Sequence, residues 1–191
     1  DAQASLISRV LVDKNQKLNR QPKKTEANAV IIHAYYLDIL EEIAEQVRAL
    51  PASFDLYIST PHRDSASLEK IFRLFPEAKL FFTPNQGRDI APFIEICRLI
   101  QNQDYELILK VHTKKSVHRD DGELWRSDIF GKLLNKETFS EVKKAITARK
   151  KIAFIGPKGH VLKNNYYWGS NKALTIAMAE STGNACGTTN T

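Results

Sequence analysis

The strongest constraint on this chain is a regular alternation of short apolar runs with helical periodicity, which begins at Ala29 and continues for more than a hundred residues. AVIIHAY at 29–35 is a nearly continuous apolar run, the pattern of a strand covered on both faces. LDILEEIAEQVRAL follows at 37–50 with apolar residues at 37, 40, 43, 44, 47 and 50, the spacing of one helix face, and Pro51 ends it. The pattern then repeats: strands are predicted at 54–60, 78–84, 105–113 and 152–157, and helices at 65–75, 90–101, 124–134 and 138–150. Strands joined by helices of this length imply right-handed crossovers. The expected fold class is therefore α/β, a mostly parallel open sheet with helices on both faces.

The alternation also sets the domain organisation. Residues 1–28 are polar and basic, with the breaker QPKK at 21–24, and read as a basic N-terminal arm or one peripheral helix around residues 6–12. Residues 29–171 form the expected domain, and 172–191, rich in Gly, Thr, Ser and Asn, read as a flexible or truncated C-terminal segment. A length of 191 residues with 42% apolar content suits a single domain with a real core. Cys97 and Cys186 have no metal-ligand spacing around them, so neither a zinc cluster nor a disulfide framework is indicated, and a reducing compartment is the default. No apolar run approaches the ~18 residues of a spanning helix, and the N-terminus lacks the apolar middle of a signal peptide. The expectation is a soluble, cytoplasmic chain.

The net charge is +6, and the excess is clustered. Basic residues concentrate at 9–24, 110–119 and 142–163, the last two stretches without one acidic side chain. Such segments can meet on one face to bind nucleic acid, an anionic lipid surface or the diphosphate of a small ligand.

Open α/β sheets bind ligands outside the carboxyl ends of their strands. Those loops fall at 33–36, 60–64, 85–89, 112–116 and 156–160, and they hold four of the five histidines, His33, His62, His112 and His160. The first strand lacks the glycine fingerprint of dinucleotide binding, and no P-loop is present. The densest signal is Asn85-Gln-Gly87-Arg88-Asp89. Gly87 permits a positive-φ turn, Asp89 can cap the next helix and Pro92 falls in its first turn. Either this is a capped turn with Arg88 in water, or the free amides of the helix start join Arg88 in binding a phosphate or a sugar.

The second signal is KVHTKKS at 110–116. Period two puts Ile108, Lys110, His112 and Lys114 on one strand face and Leu107, Leu109 and Val111 on the other. Lys110 on an otherwise apolar strand needs a carboxylate or an anionic ligand, because burying a lone ammonium costs several kcal/mol. Asp89 is one candidate partner. The bland alternative is that Lys110 and His112 protrude beyond the sheet into water. Trp125 and Arg126 open a helix, and Trp168 and Asn171 lie in a late aromatic, Asn-rich loop that suits a sugar or a base.

NQGRDIAPF at 85–93, LILKVHTKKS at 107–116, LWR at 124–126 and the early HAYYLDIL at 33–40 resemble the rhamnan synthesis protein F family of bacterial polysaccharide biosynthesis proteins. The resemblance runs from about Ala29 to Asn171. It implies a rhamnosyltransferase-like role in O-antigen or rhamnan assembly, with a TDP-rhamnose-like donor and a glycan or lipid-linked acceptor. It also implies the GT-A fold of nucleotide-sugar glycosyltransferases, in which Asn85 to Gly87 would match the Asn-x-Gly turn. The divalent metal of that fold is held by an Asp-x-Asp motif, and here Lys110-Val-His112 stands in its place. Hard cations want oxygen ligands, so no metal ligand is assigned and no cofactor is certain. Lys114, Lys115 and His112 are expected to neutralise the donor diphosphate in place of a metal, assisted by Arg88 and the helix start at Asp89, and His33, Asn85, Gly87 and Lys110 complete the donor-binding set. Asp89 is the catalytic candidate, orienting a sugar hydroxyl or acting as a base. Trp125, Arg126, Trp168 and Asn171 are the sugar or acceptor candidates. The alternative is a noncatalytic sugar-nucleotide-binding module of an assembly complex. Peripheral contact with the inner face of the plasma membrane would suit the remaining basic segments. No nucleic-acid-binding motif is present, and no such partner is expected.

Overall fold

The computed structural model describes residues 10–12, 22–113, 115, 122–148, 152, 154–160, 172–173 and 176–177. Residues up to Ile155 form one compact unit and those from Gly156 a second. In the first unit the strands are β1 (Val10–Val12), β2 (Asn28–His33), β3 (Phe54–Thr60), β4 (Lys79–Phe82) and β5 (Leu107–His112). The helices are α1 (Leu40–Arg48), α2 (Ser65–Leu74), α3 (Ile90–Ile100), α4 (Gly122–Leu133) and α5 (Lys136–Ala148). Every described strand pair is parallel, and the sheet order is β1-β4-β3-β2-β5.

That order carries the architecture. From β2 to β4 the chain steps one way across the sheet, and it then returns past β2 to place β5 on the other side. With right-handed crossovers, the reversal sends α3 to the face opposite α1 and α2. The two apolar clusters follow this division. Val30, Ile32, Ile58, Leu80, Phe82 and Val111 pack with Leu40, Ile43, Ile71, Phe130 and Phe139 on one face. Ala29, Ile31, Tyr57 and Phe81 pack with Ile96 and Ile100 of α3 on the other. The expected parallel sheet with helices on both faces is what the chain forms. No helix among the described residues is long and apolar enough to cross a membrane.

The helix starts obey local chemistry. Asp64 accepts from Ser67 N at 2.9 Å and caps α2, while Asn135 accepts from Glu137 N and Thr138 N at 2.9 and 3.0 Å and caps α5. Two expectations are corrected. Val10–Val12 does not belong to a peripheral helix; it pairs with β4 as an edge strand, Val10 opposite Leu80. Its valines favour extended backbone, and β4 would otherwise leave an open edge. The strand expected at 152–157 is also absent from its described residues, Ile152 and 154–157, and Phe154 is 82% exposed. Gly156-Pro157 breaks that apolar run, and proline has no N–H for a ladder. In the second unit, His160 N donates to Pro157 O at 3.0 Å across a turn with Gly159 at φ +87°.

Candidate functional site

The strand order reverses between β2 and β5, and open α/β sheets bind ligands outside the carboxyl ends of the strands at such a point. In the β2–β5 register His33 lies opposite His112 and Ile31 opposite Lys110. Side chains alternate along a strand, so His33 continues the row of Ala29 and Ile31 on the α3 face. Ser59 likewise follows Tyr57, and Thr83 follows Phe81. Leu107, Leu109 and Val111 pack into the opposite cluster, which leaves Lys110 and His112 on the α3 face. The expected division of β5 faces is therefore observed.

Asp89 stands at the centre. Its Oδ2 takes an ion-paired hydrogen bond from Lys110 Nζ and lies 3.5 Å from His112 Nδ1. Partial burial pushes the Asp89 carboxyl up, but the Lys110 hydrogen bond and the His112 charge outweigh it and hold the group below the ordinary carboxylate range. Lys110 Nζ also lies 5.7 Å from the centroid of the Phe93 ring on α3. Lys110 thus has both a carboxylate and an aromatic face, and does not simply protrude into water. Buried His33 bonds through Nδ1 to Ser59 Oγ at 2.9 Å. Desolvation lowers its pKa, with Asp89 opposing and Lys110 reinforcing the shift, so the ring is mainly neutral at pH 7. The Oγ1 of Thr83, also buried, has no hydrogen-bond partner among the described residues.

The loop that carries Asp89 differs from its expected form. Gly87 and Arg88 have φ +68° and +51°, a double left-handed turn. Asp89 occupies the N-cap position of α3, yet its side chain makes no capping bond. Nor are the amides of Ile90 and Ala91 free. Ile90 N and Ala91 N both donate to Gly87 O at 3.2 Å, and Pro92 has no N–H. The turn also predicts a stability effect: a Cβ on Gly87 would sit 2.4 Å from Ala91 Cβ, at a φ that disfavours any L side chain. Gly87→Ala is expected to cost about 1–3 kcal/mol in urea unfolding, and a loss below a few tenths would show that the turn relaxes freely.

Hydroxyl groups brace the mouth. Thr113 Oγ1 accepts from Tyr35 N and Tyr36 N, both at 2.8 Å, and fixes the β2–α1 loop to the end of β5. Thr60 Oγ1 donates to Ala34 O at 2.8 Å, and His62 Nε2 bonds Tyr35 O at 2.7 Å. Asn85 Nδ2 donates to Tyr35 OH at 3.3 Å, joining the β4–α3 loop to the same rim.

The sequence candidates are thus partly brought together. His33, Asp89, Lys110 and His112 form one cluster, with Asn85, Gly87 and exposed Arg88 on the adjoining loop. Lys115 is exposed and pairs with Asp38, its ammonium 5.7 Å from the centre of the Tyr36 ring. Arg126 Nε lies 3.3 Å from Glu42 Oε2 and ties α4 to α1, beside half-buried Trp125. Lys114, Trp168 and Asn171 lie outside the described residues. Among the described residues no three His, Cys, Asp or Glu side chains are grouped to hold a metal ion. The donor set near Asp89 suits a cation poorly, because the Lys110 ammonium already takes the place beside its carboxylate.

Sequence reasoning missed a second polar cluster, at the amino end of the sheet. Buried Asp55 on β3 pairs with Lys79 Nζ at 2.6 Å. It also accepts from Thr25 N at 2.8 Å, Thr25 Oγ1 at 2.6 Å, Glu26 N at 3.1 Å and Tyr105 OH at 2.7 Å. Tyr57 OH and Tyr105 OH are 2.6 Å apart, and burial pushes the Tyr57 hydroxyl up to about 12. The available signal was an aspartate within the apolar run FDLYIST, a position that demands a partner.

Comparison with known proteins gives the chain its relatives. The profile of a family described as rhamnan synthesis protein F matches residues 2–159. Two curated proteins, each named uncharacterized protein WxcX and each from a strain of Xanthomonas campestris pv. campestris, are 30% identical over 162 residues. The match covers 84% of this chain and 23% of each relative, so the chain spans under a quarter of the length of these relatives. No solved structure matches the chain.

Proposed function

Because the chain belongs to the rhamnan synthesis protein F family, we propose that it is a glycosyltransferase domain, of rhamnosyl specificity, that binds a nucleotide-sugar donor during bacterial cell-surface polysaccharide synthesis. One observation carries this reading: Lys110 and His112 converge with Asp89 at the point where the strand order reverses. Counted from Asn28, the core strands run 3-2-1-4, the order on either side of the switch point in doubly wound nucleotide-binding sheets, and this supports a nucleotide diphosphate there. Lys110 and His112, with Arg88 near them, neutralise the diphosphate as the sugar leaves it. Asp89 orients a sugar hydroxyl. The GT-A likeness, the lipid-linked acceptor and a place at the inner face of the plasma membrane belong to the same proposal.

A noncatalytic sugar-nucleotide-binding module is the second reading. It is favoured by the fact that the Lys110 ammonium and the His112 ring already engage the central carboxylate. Incubation with TDP-rhamnose and UDP-sugars, with and without glycan acceptors, separates the two. Release of nucleoside diphosphate supports the transferase. Binding without release supports the module, and neither binding nor release contradicts both.

A further inference from the structure

The inference here rests on the reading of the β2 and β5 strand ends as a diphosphate site and concerns how that site is kept ready. We propose that Asp89 is an internal counter-ion, occupying the Lys110–His112 anion site until a phosphate group displaces it.

Three observations support this role. Lys110 and His112 approach the same oxygen, Asp89 Oδ2, as they would approach one oxygen of a phosphate. The helix that follows has no use for the carboxylate, since Gly87 O serves Ile90 N and Ala91 N and Pro92 has no donor. The carboxylate is held toward β5 by a turn that places a non-glycine residue, Arg88, at φ +51°. Such a conformation persists only where surrounding contacts over-determine it, and the Lys110 pair is the contact at hand.

The side chains of Lys110, Asp89 and His112 are 25%, 22% and 31% exposed, so a ligand from solvent can reach all three. A carboxylate and a phosphate oxygen present the same kind of acceptor to an ammonium. A diphosphate brings more charge and several oxygens, which lets Lys110 and His112 each take one, while exposed Arg88 stands next in the chain. Asp89 then swings out on its turn, and its carboxylate becomes available to a hydroxyl. The counter-ion keeps the Lys110 ammonium satisfied in the free protein and taxes the affinity for the phosphate that replaces it.

The consequence runs against the usual effect of changing a site residue. Calorimetric titration with inorganic pyrophosphate and with UDP, without added divalent metal, tests it on the wild type, Asp89→Asn and Asp89→Ser. Removing the charge should tighten binding of both probes roughly five- to tenfold, because the internal competitor is gone. Asn is isosteric and Ser is at home at a helix start, so either variant suffices if the other fails to fold. Binding by the neutral variants that is equal to or weaker than wild type overturns the counter-ion role and leaves the diphosphate reading intact. Absence of binding by wild type and variants alike overturns the diphosphate reading, and the inference with it.

Discussion

Replacing Asp55 with alanine is expected to destabilise the domain by about 3–5 kcal/mol, the cost of breaking a buried ion pair and stranding its partners. The residue is 4% exposed, and its loss removes the shared acceptor of Thr25 Oγ1 and the amides of Thr25 and Glu26, leaving Lys79 Nζ only Lys23 O and Tyr105 OH only Gln103 Oε1 to donate to besides the Tyr57 hydroxyl. These partners come from three separate places in the chain, so the effect is not confined to β3. Typical domains have about 5–15 kcal/mol of stability in total, and a loss of this size is read directly in a urea midpoint. Asp55→Asn keeps the shape and removes the charge, and provides the measurement if the alanine variant does not fold.

The same group sets a pH dependence. Burial would raise the Asp55 pKa, but the hydrogen bonds of Lys79, Thr25 and Tyr105 prevail and hold it well below the ordinary carboxylate range. The folded pKa therefore lies under the unfolded one, about 3.9, and the folded state binds fewer protons. Its contribution is present in full above about pH 4 and is lost as the pH falls toward the folded pKa. Acid unfolding of wild type should be steeper below pH 4 than that of Asp55→Asn. Equal acid sensitivity in the two would remove Asp55 as a source.

The second large effect concerns ligand binding. Lys110→Met should weaken nucleoside diphosphate binding by about 30- to 100-fold, the roughly 2–3 kcal/mol of a charge-assisted contact in a partly desolvated site. Methionine keeps the stem that packs near Phe93, so the variant separates charge from packing. It leaves the Asp89 carboxylate without its main counter-ion, and the depressed Asp89 pKa should rise toward the ordinary range. Carbonyl carbon NMR of Asp89 reads that change. Equal UDP affinity in wild type and Lys110→Met would discard Lys110 as a phosphate ligand.

Much of this was legible in the residues. Strand 54–60 and the other core elements follow from apolar period alone, and the β5 face assignment placed Lys110 and His112 together and pointed to Asp89. The exceptions have physical causes. The N-cap role of Asp89 failed because a stronger interaction, the ion pair with Lys110, competes for the same carboxylate, and residues adjacent in sequence give no sign of that competition. Free amides at the start of α3 failed because the Gly87–Arg88 turn aims Gly87 O at them, which depends on two φ angles that sequence does not fix. Val10–Val12 joins the sheet through main-chain pairing with a strand some seventy residues later, beyond the reach of local pattern. The Asp55 network was missed for the same reason: Thr25, Lys79 and Tyr105 are remote in sequence and meet only through the sheet.

The position of a bound nucleoside diphosphate is the most direct test of the site. A crystal structure of the chain with UDP or TDP bound is expected to place the diphosphate at the carboxyl ends of β2 and β5, with Lys110 Nζ and His112 on its oxygens and Asp89 turned away. A diphosphate seated elsewhere, with the Lys110–Asp89 pair intact, would contradict it.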